Sequence, residues 1–395
     1  MQLLTINAGS SSIKYKVFMR TQQRNHLILG GLIEGIGEQN GQWHHQYHEK
    51  ETRSHTFLSH QAAFDELVRK LRQDLQNSTI EGVGHRVVHG GTQFFEPTLI
   101  TTPVLKELKT LSPLAPLHNP VNIAGIEYAM QHFPNAEHIA VFDSGFHHTL
   151  PAFTREYAID RKTAKQYGIQ RYGFHGINHE YVATKAAEFL NKPLENCHFI
   201  SLHLGNGASA CLIKNGQSFD TSMGMTPLAG LIMGTRCGDI DPGILLHLLK
   251  QGLAPAEIDT LLNKNSGLKG LAKNNDMRAV LALCEEGDDN AFLAIDMYCY
   301  NVQKTIGAYL TQLHDLTALI FTGGIGENSE IIRHKILQSL THLNFNINLS
   351  LNSQKNRDDC HLISDLGSPI LVIRSDEEDW IAQKIALLIN EKHKQ

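Results

Sequence analysis

Four segments of this 395-residue chain are rich in small residues and follow apolar runs: NAGSSS (7–12), HLGNGAS (203–209), MGTRCGD (233–239) and TGGIGEN (322–328). With no Cβ in the way, such backbones bring N–H groups close to an anion. One such turn is ordinary hairpin chemistry, but four in one chain point to a phosphate-binding cleft. Neither G-x-x-x-x-G-K-[ST] nor G-x-G-x-x-G is present, and protein-kinase signatures are missing, so a bound nucleotide must be held another way. Lys14, inside the first of these hairpins, reads equally as a phosphate ligand or a solvated strand lysine.

Arg86 lies in HRVVHGG at a strand terminus and Arg236 in a glycine-flanked loop. A planar guanidinium there suits bidentate capture of carboxylate or phosphate oxygens, while a surface salt bridge is the competing fate of each. Asp143 ends the apolar run IAVFD, and Glu377 follows ILVIRSDEE. Acidic groups at strand ends can hold Mg²⁺ through oxygen; helix capping competes for Glu377 and its neighbours Asp376 and Glu378. Of 23 histidines, His175 and His203 at strand termini are the site candidates, with burial against backbone as the alternative for each. His44, His45 and His48 read as solvated surface, and no His/Cys cluster has zinc spacing. The six cysteines are scattered with no C-x-x-C, which suits reduced thiols in a cytoplasmic enzyme.

The elements that must position these residues alternate in type. Leu3–Ile6 and Ile13–Phe18 read as a hairpin, followed by strands at Leu27–Glu34 and Gly41–Glu49. Ala63, Leu67, Leu71 and Leu75 place one apolar face on a helix over Gln61–Gln76. Strands follow at Val83–Val88 and His138–Phe142, with helical patterns near 103–111 and 120–132, and a long helix runs to about Leu190. His198–Leu204, Ala208–Ile213 and Gln217–Thr221 read as strands, the last two joined at Asn215-Gly216. The second half is richer in helix: one opens at Asp241-Pro242, another near Pro255, and Asn290–Leu313 keeps helical spacing throughout. Leu319–Phe321 and Ile370–Ile373 are short strands, and Glu377–Asn390 a closing helix.

INAGSSSIKY and LGNGASACLI share one design, a strand, a small-residue turn and a strand, with Asn7 and Asn206 199 residues apart. Half the chain length as a period implies two similarly built α/β domains whose turns face a shared cleft. Composition agrees with an enzyme: 42% apolar, 19% charged, and 35 Lys+Arg against 40 Asp+Glu for a net charge of −5. That balance offers no field for nucleic acid or anionic membrane, and no apolar run approaches the ~18 residues of a membrane span. The amino terminus lacks the basic and apolar regions of a secretory signal.

In order along the chain, INAGSSSIKY, GHRVVHGG, PLHNP, FDSGFH, RYGFHG, SLHLGNGAS, TPLAGLIMGTRCGDIDPG, NDMR, FTGGIGENS and SDEE closely resemble the acetate kinase family. The resemblance runs from residue 6 to about 378. It implies two duplicated actin-like, ribonuclease H-like (ASKHA) α/β domains around a central nucleotide cleft. The first would comprise 1–147 plus 378–395 and carry the carboxylate and metal side. The second, 148–377, would carry the nucleotide and the dimer contact.

Residue by residue, the resemblance implies Asn7 and Glu377 at a Mg²⁺ site, with Mn²⁺ a possible substitute. It implies Lys14, His203, Leu204, Gly205, Asn206, Gly207, Asp276, Met277, Arg278, Gly324, Ile325, Gly326, Glu327 and Asn328 on ATP. Arg86 falls on the carboxylate-binding arginine, Asp143 on the catalytic aspartate, and His175 and Arg236 on the transition-state stabilisers. Val88, Leu117, Phe174 and Pro227 fall on the pocket for the methyl group. Cys237 stands where serine is more usual in the family, which brings a thiol into the site and makes inactivation by thiol reagents conceivable. The implied reaction is reversible transfer of the ATP γ-phosphate to acetate, giving acetyl phosphate and ADP, in a cytoplasmic homodimer. Propionate or butyrate kinase is the near alternative; a non-catalytic actin-fold ATP sensor or chaperone-like ATPase is the alternative from another class.

Overall fold

A computed structural model describes residues 1–22, 24–76, 78–354 and 358–392. Residues 23, 77, 355–357 and the 393–395 tail of the expected domains lie outside the described residues. The chain divides into two compact units, Met1–Phe146 with Asp376–Gln395, and His147–Ser375.

The first unit opens with β1 (Gln2–Ala8), β2 (Ser12–Thr21), β3 (Arg24–Glu34), β4 (Gln42–Tyr47) and β5 (Glu49–Ser54), an antiparallel meander. Helix α1 (His60–Leu75) follows, capped by Ser59 Oγ accepting from Ala62 N at 3.2 Å. It buries Ala63, Phe64, Leu67, Val68, Leu71 and Leu75 on one face. Then come β6 (Gly82–Val87), β7 (Thr98–Leu99), α2 (Thr102–Thr110), α3 (Asn119–His132) and β8 (Glu137–Phe142). The strands form one sheet in the order β5-β4-β3-β2-β1-β6-β8-β7, with β6 and β8 parallel to β1.

The second unit contains α4 (Ala152–Arg155), α5 (Arg161–Tyr167), α6 (Gly176–Phe189), β9 (His198–Leu204), β10 (Ala208–Lys214) and β11 (Gln217–Thr221). Helices α7 (Pro242–Lys250), α8 (Pro255–Lys264), α9 (Gly267–Ala272), α10 (Met277–Glu285) and α11 (Asp289–Leu310) follow. The unit ends with β12 (Ala318–Thr322), α12 (Gly323–Asn328), α13 (Glu330–Leu337), β13 (Phe345–Ile347), α14 (Leu349–Ser353), β14 (Cys360–Leu362), β15 (Ser364–Gly367) and β16 (Ile370–Ile373). Its main sheet runs β11-β10-β9-β12-β16-β14, and β13 pairs with β15 apart from it. Helix α15 (Glu377–Lys392) returns to the first unit. It lies so close to β6 that a Cβ on Gly84 would stand 2.5 Å from Ile381, and one on Gly82 2.6 Å from Ile389. The bare strand makes room for the helix's isoleucines.

The two sheets repeat one plan. β3-β2-β1-β6-β8-β7 corresponds to β11-β10-β9-β12-β16-β14, with the same three antiparallel strands, two parallel strands and antiparallel edge. The register of the repeat differs from the one read between asparagines. Strand ends align Ala8 with Leu204, 196 residues apart, so Asn7 corresponds to His203 while Asn206 lies in the following turn.

Three local expectations change. His45 is not solvated: it is 4% exposed, with Nδ1 2.6 Å from Tyr15 Oη and Nε2 2.8 Å from Asp74 Oδ2. Asp74 comes from α1, a contact that strand alternation does not reveal. TGGIGEN is not a turn throughout, since 323–328 wind into α12. The stretch 41–49 is interrupted at His48, where a φ of 54° turns the chain from β4 into β5.

Candidate active site

In the first unit, β1, β6 and β8 are neighbours running in one direction, so their carboxyl ends lie side by side. Asn7, Arg86 and Asp143 stand at those ends, where open α/β sheets place ligands. Glu377 joins them from the start of α15. Arg86 is the hub. Its Nη2 donates to Asp143 Oδ2 at 2.7 Å, its Nη1 to Asn7 Oδ1 at 3.3 Å, and its Nε lies 3.5 Å from Glu377 Oε2. Burial opposes the arginine's charge, but Asp143, Glu377 and Glu378 overcome that and hold its pKa above the ordinary value. The Glu377 carboxyl is pushed up to about 7, first by burial and then against the arginine's pull by Asp143 and Glu378.

Lys14 sits opposite Asn7 across the first hairpin, with its ammonium 2.7 Å from the buried Glu378 carboxylate. It is therefore engaged in an ion pair while its side chain stays 44% exposed. Lys16 pairs with Asp376 at 2.7 Å, and Asp376 Oδ1 accepts from Asp379 N at 3.0 Å, so the helix cap is Asp376 rather than Glu377. Val88 is buried, its N–H donating to Asn122 Oδ1 at 3.0 Å, and Leu117 is 44% exposed ahead of α3.

In the second unit four segments converge. The turn after β9 closes with Gly205 N donating to Gly207 O at 3.0 Å. Gly234 N donates to Asn206 O at 2.9 Å, and Asn275 Nδ2 to Asn206 Oδ1 at 3.2 Å, which draws in the NDMR segment. A Cβ on Gly205 would lie 3.9 Å from both Gly324 N and His203 Nε2. A Cβ on Gly207 would lie 3.4 Å from His175 Nε2 and 3.8 Å from Arg236 Nη1. One glycine face thus carries both His175 and Arg236. Leu204 and Met277 are buried beneath, while Asp276 caps α10 and pairs with the exposed Arg278 at 2.6 Å. Arg236 Nη1 donates to Pro227 O at 3.1 Å, and burial lowers the arginine's pKa.

His175 occupies the left-handed region, φ 57°, at the N-cap of α6, a conformation uncommon for a residue with a Cβ and often found at functional sites. Its ring stacks on His203 at 4.2 Å, and Phe174 beside it is buried, its carbonyl 3.0 Å from His147 Nε2. Glu327 Oε1 accepts from Gly323 N and Ser375 N, both at 2.9 Å, and Asn328 Nδ2 donates to Gly324 O at 2.9 Å. Ile325 and Gly326 complete α12.

Sequence reading passed over Lys16, His179, Ser209 and Arg333, and weighed Glu378 only as a helix cap. His179 is one helical turn after His175 and shares its face, a spacing that could have flagged it. Arg333 donates to the Gly326 and Glu327 carbonyls at 2.8 and 2.9 Å and to Asn352 O at 2.7 Å, which clamps α12 from behind. Burial raises the Cys237 thiol's pKa and its Sγ lies 3.2 Å from Gly238 O, which disfavours the thiolate that reagents need.

Among the described residues no group of three or more His, Cys, Asp or Glu could hold a metal ion. Two carboxylates and an amide oxygen nonetheless fit a hard cation that keeps several waters and takes nucleotide phosphates as ligands. Asn7, Asp143 and Glu377 are such a set, gathered around one arginine. Also among the described residues, no helix is long and apolar enough to cross a membrane.

Comparison with known proteins agrees with the resemblance read from the motifs. The profile of the acetokinase family matches residues 2–383. An acetate kinase of Arthrobacter sp. (strain FB24) is 43% identical over 392 residues, covering 99% of each chain. The crystal structure of a propionate kinase from Francisella tularensis subsp. tularensis SCHU S4 superposes with a TM-score of 0.91 at 39% identity, covering 97% of this chain and 98% of that one. The Porphyromonas gingivalis acetate kinase structure gives 0.89 at 34% identity, over 98% and 99%. With the repeated sheet plan, these matches establish the duplicated actin-like fold. The chain belongs to the acetokinase family and is a phosphotransferase.

Proposed function

We propose that the protein transfers the γ-phosphoryl group of ATP to acetate, reversibly, giving acetyl phosphate and ADP. The observation that carries this reading is Arg86, a largely buried guanidinium at the carboxyl end of a strand, beside the buried Val88. A small carboxylate fits an arginine's fork and a short apolar wall.

The attacking carboxylate and the triphosphate are both anions, so the chemistry asks for positioning and charge stabilisation. With a pKa near the ~4.3 of a simple carboxyl, acetate is ionised at neutral pH and needs no general base. Asp143 therefore acts by orienting Arg86. An acetate oxygen forms the new bond to the γ-phosphorus as the bond to the β,γ-bridging oxygen breaks, and ADP departs. His175 and Arg236 stabilise the equatorial oxygens in passage, with Lys14, 203–207, 276–278 and 324–328 holding the nucleotide. Asn7 and Glu377, with Asp143 behind them, would hold Mg²⁺, or Mn²⁺ in its place, which neutralises phosphate charge when bound. Val88, Leu117, Phe174 and Pro227 limit the acceptor's tail.

Propionate is the second reading, favoured by the likeness to the Francisella propionate kinase. One methylene in an apolar pocket is worth only ~1–3 kcal/mol. Incubation with ATP, Mg²⁺ and hydroxylamine tests both: hydroxamate should form fastest with acetate, then propionate, then butyrate. None from any acceptor would refute the kinase reading in favour of an ATP-sensing protein.

A homodimer built through the second unit is part of this proposal. Helix α7 buries none of its residues, and Ile244, Leu246 and Leu249 are 42%, 61% and 43% exposed. On α11, Phe292, Leu293 and Tyr300 are 49%, 52% and 62% exposed. Apolar faces of that kind mark association surfaces. Sedimentation should give a dimer that Leu246→Lys weakens; a wild-type monomer at micromolar concentration would contradict it.

A further inference from the structure

Ser209 Oγ lies between two imidazoles, 2.9 Å from His175 Nδ1 and 2.7 Å from His179 Nε2. On its far side, His179 Nδ1 is 3.0 Å from Ser201 Oγ. Ser201, Ser209 and His179 are fully buried. A hydroxyl has one proton and can donate to only one of its two neighbours. Burial, with His147 and His203 adding to it, keeps His179 far below the ordinary histidine pKa, so this ring stays neutral, with one donor nitrogen and one acceptor.

These constraints leave two arrangements in which His175 Nε2 carries a proton. In one, Ser201 donates to His179 Nδ1, His179 Nε2–H donates to Ser209, and Ser209 donates to His175 Nδ1, so neutral His175 carries its proton on Nε2. In the other, His175 is protonated. Its Nδ1–H donates to Ser209, Ser209 donates to His179 Nε2, and His179 Nδ1–H donates to Ser201. In both, each of the three contacts has one donor and one acceptor, and His175 Nε2 bears a proton. The arrangement with neutral His175 protonated on Nδ1 alone turns a lone pair towards the Gly207 face, which an anionic phosphoryl oxygen there disfavours. That nitrogen shares the Gly207 face with Arg236 Nη1. Around His175 also stand the stacked His203, fixed by Asn178 Nδ2 donating to its Nδ1 at 2.8 Å, and, behind His179, His147 with its ring centroid 5.9 Å from that of His179.

We propose that Ser209 and His179 are positioning residues, a reversible hydroxyl–imidazole–hydroxyl relay that lets His175 Nε2 serve as a proton donor towards the transferring phosphoryl group whether His175 is neutral or protonated. The relay's purpose rests on the role proposed for His175. Its existence does not.

The relay has a signature that mere packing lacks: His179 must exchange its Nε2–H for an Nδ1–H tautomer as His175 titrates, without taking up a proton itself. Long-range ¹H–¹⁵N spectra of histidine-labelled protein across pH, assigned with His175→Gln and His179→Gln, read this directly. The exchange should track the His175 midpoint and vanish in Ser209→Ala. In the same variant kcat should fall about tenfold, the scale of one lost hydrogen bond, with KM for ATP within about twofold. Ser209→Thr, which keeps the hydroxyl, should recover most of the loss. A His179 that holds one tautomer throughout overturns the relay alone. Full turnover in His175→Gln overturns the catalytic reading of His175, and with it the relay's purpose, while leaving the tautomer result standing.

Discussion

The two candidate sites, one in each unit, are built from one sheet plan and opposite materials. At the ends of β1, β6 and β8 the first unit gathers charges: Arg86, Lys14 and Lys16 against Asp143, Asp376, Glu377 and Glu378. The second unit gathers dipoles, serines, imidazoles and bare backbone, around Arg236 at the Gly207 face. Shared topology places both groups at strand ends and dictates neither chemistry. In the proposed reaction, a compensated charge cluster would hold the guanidinium rigidly to choose a small anion's orientation. Uncharged donors suit a transferring group whose charge shifts between oxygens, because they can adjust without separating ions.

The sharpest way to break this contrast is to remove each arginine. Arg86→Ala and Arg236→Ala should each lower kcat on the order of 10²–10³, as expected for one preorganised charge stabiliser. Their stabilities should diverge. Losing Arg86 removes the guanidinium that compensates the buried Asp143 and the largely buried Glu377, a cost of about 3–5 kcal/mol in urea unfolding. Losing Arg236, whose Nη1 donates to the Pro227 carbonyl and approaches the Met233 sulfur, should cost about 1 kcal/mol. Equal destabilisation would erase the distinction, and intact turnover in Arg236→Ala would remove it from the reaction.

Asp143→Asn comes next. It keeps the shape but halves the grip on Arg86, so kcat should fall roughly 10- to 100-fold, the scale of one charged hydrogen bond. Near-wild-type turnover at saturating Mg²⁺ would mean that Arg86 needs no such orientation.

A smaller effect belongs to the second unit's scaffold. Arg333→Ala leaves the carbonyls of Gly326 and Glu327 without their donor and should raise KM for ATP about fivefold, at about 2 kcal/mol of stability. KM for acetate should hold. A parallel rise in both constants would mean that the residue supports the fold at large.

These cases also mark what could be read from sequence. The hairpins β1–β2 and β9–β10, the face of α1 and the length of α11 were legible because alternation and helical spacing are local. So were the Arg86 and Arg236 candidates, from glycine around a cation. His45 was not, because Asp74 reaches it from another element. Nor was α12, a glycine-rich helix that propensity argues against and that Arg333 holds. Strands β13–β15 run three or four residues, too short for a period to show. Ser209 was visible in HLGNGAS only as a small residue; its two histidines come from α6.

The smallest effect contrasts two histidine chains. In the first unit His85 Nε2 lies 3.0 Å from His138 Nδ1, and His138 Nε2 lies 3.0 Å from the Phe133 carbonyl. A carbonyl only accepts, so His138 must donate from Nε2 and accept at Nδ1 from His85. This chain has one direction, where the Ser201–His179–Ser209 chain, ending in hydroxyls, has two. Burial lowers the pKa of both His85 and His138, with His138 adding to the effect on His85. Folded values below the ordinary histidine pKa of ~6.5 mean that the unfolded chain takes up protons first, so stability is full above that pH and lost as pH falls below it. Each such ring removes about 1.4 kcal/mol per pH unit until it titrates in the folded state. Urea midpoints should therefore be level from pH 7.5 to 6.5 and drop at 5.5. His85→Gln, whose amide N–H can still reach His138 Nδ1, should flatten that drop by one ring's share. An unchanged slope would mean that the pair is not locked neutral, and that the first unit's chain is as reversible as the second's.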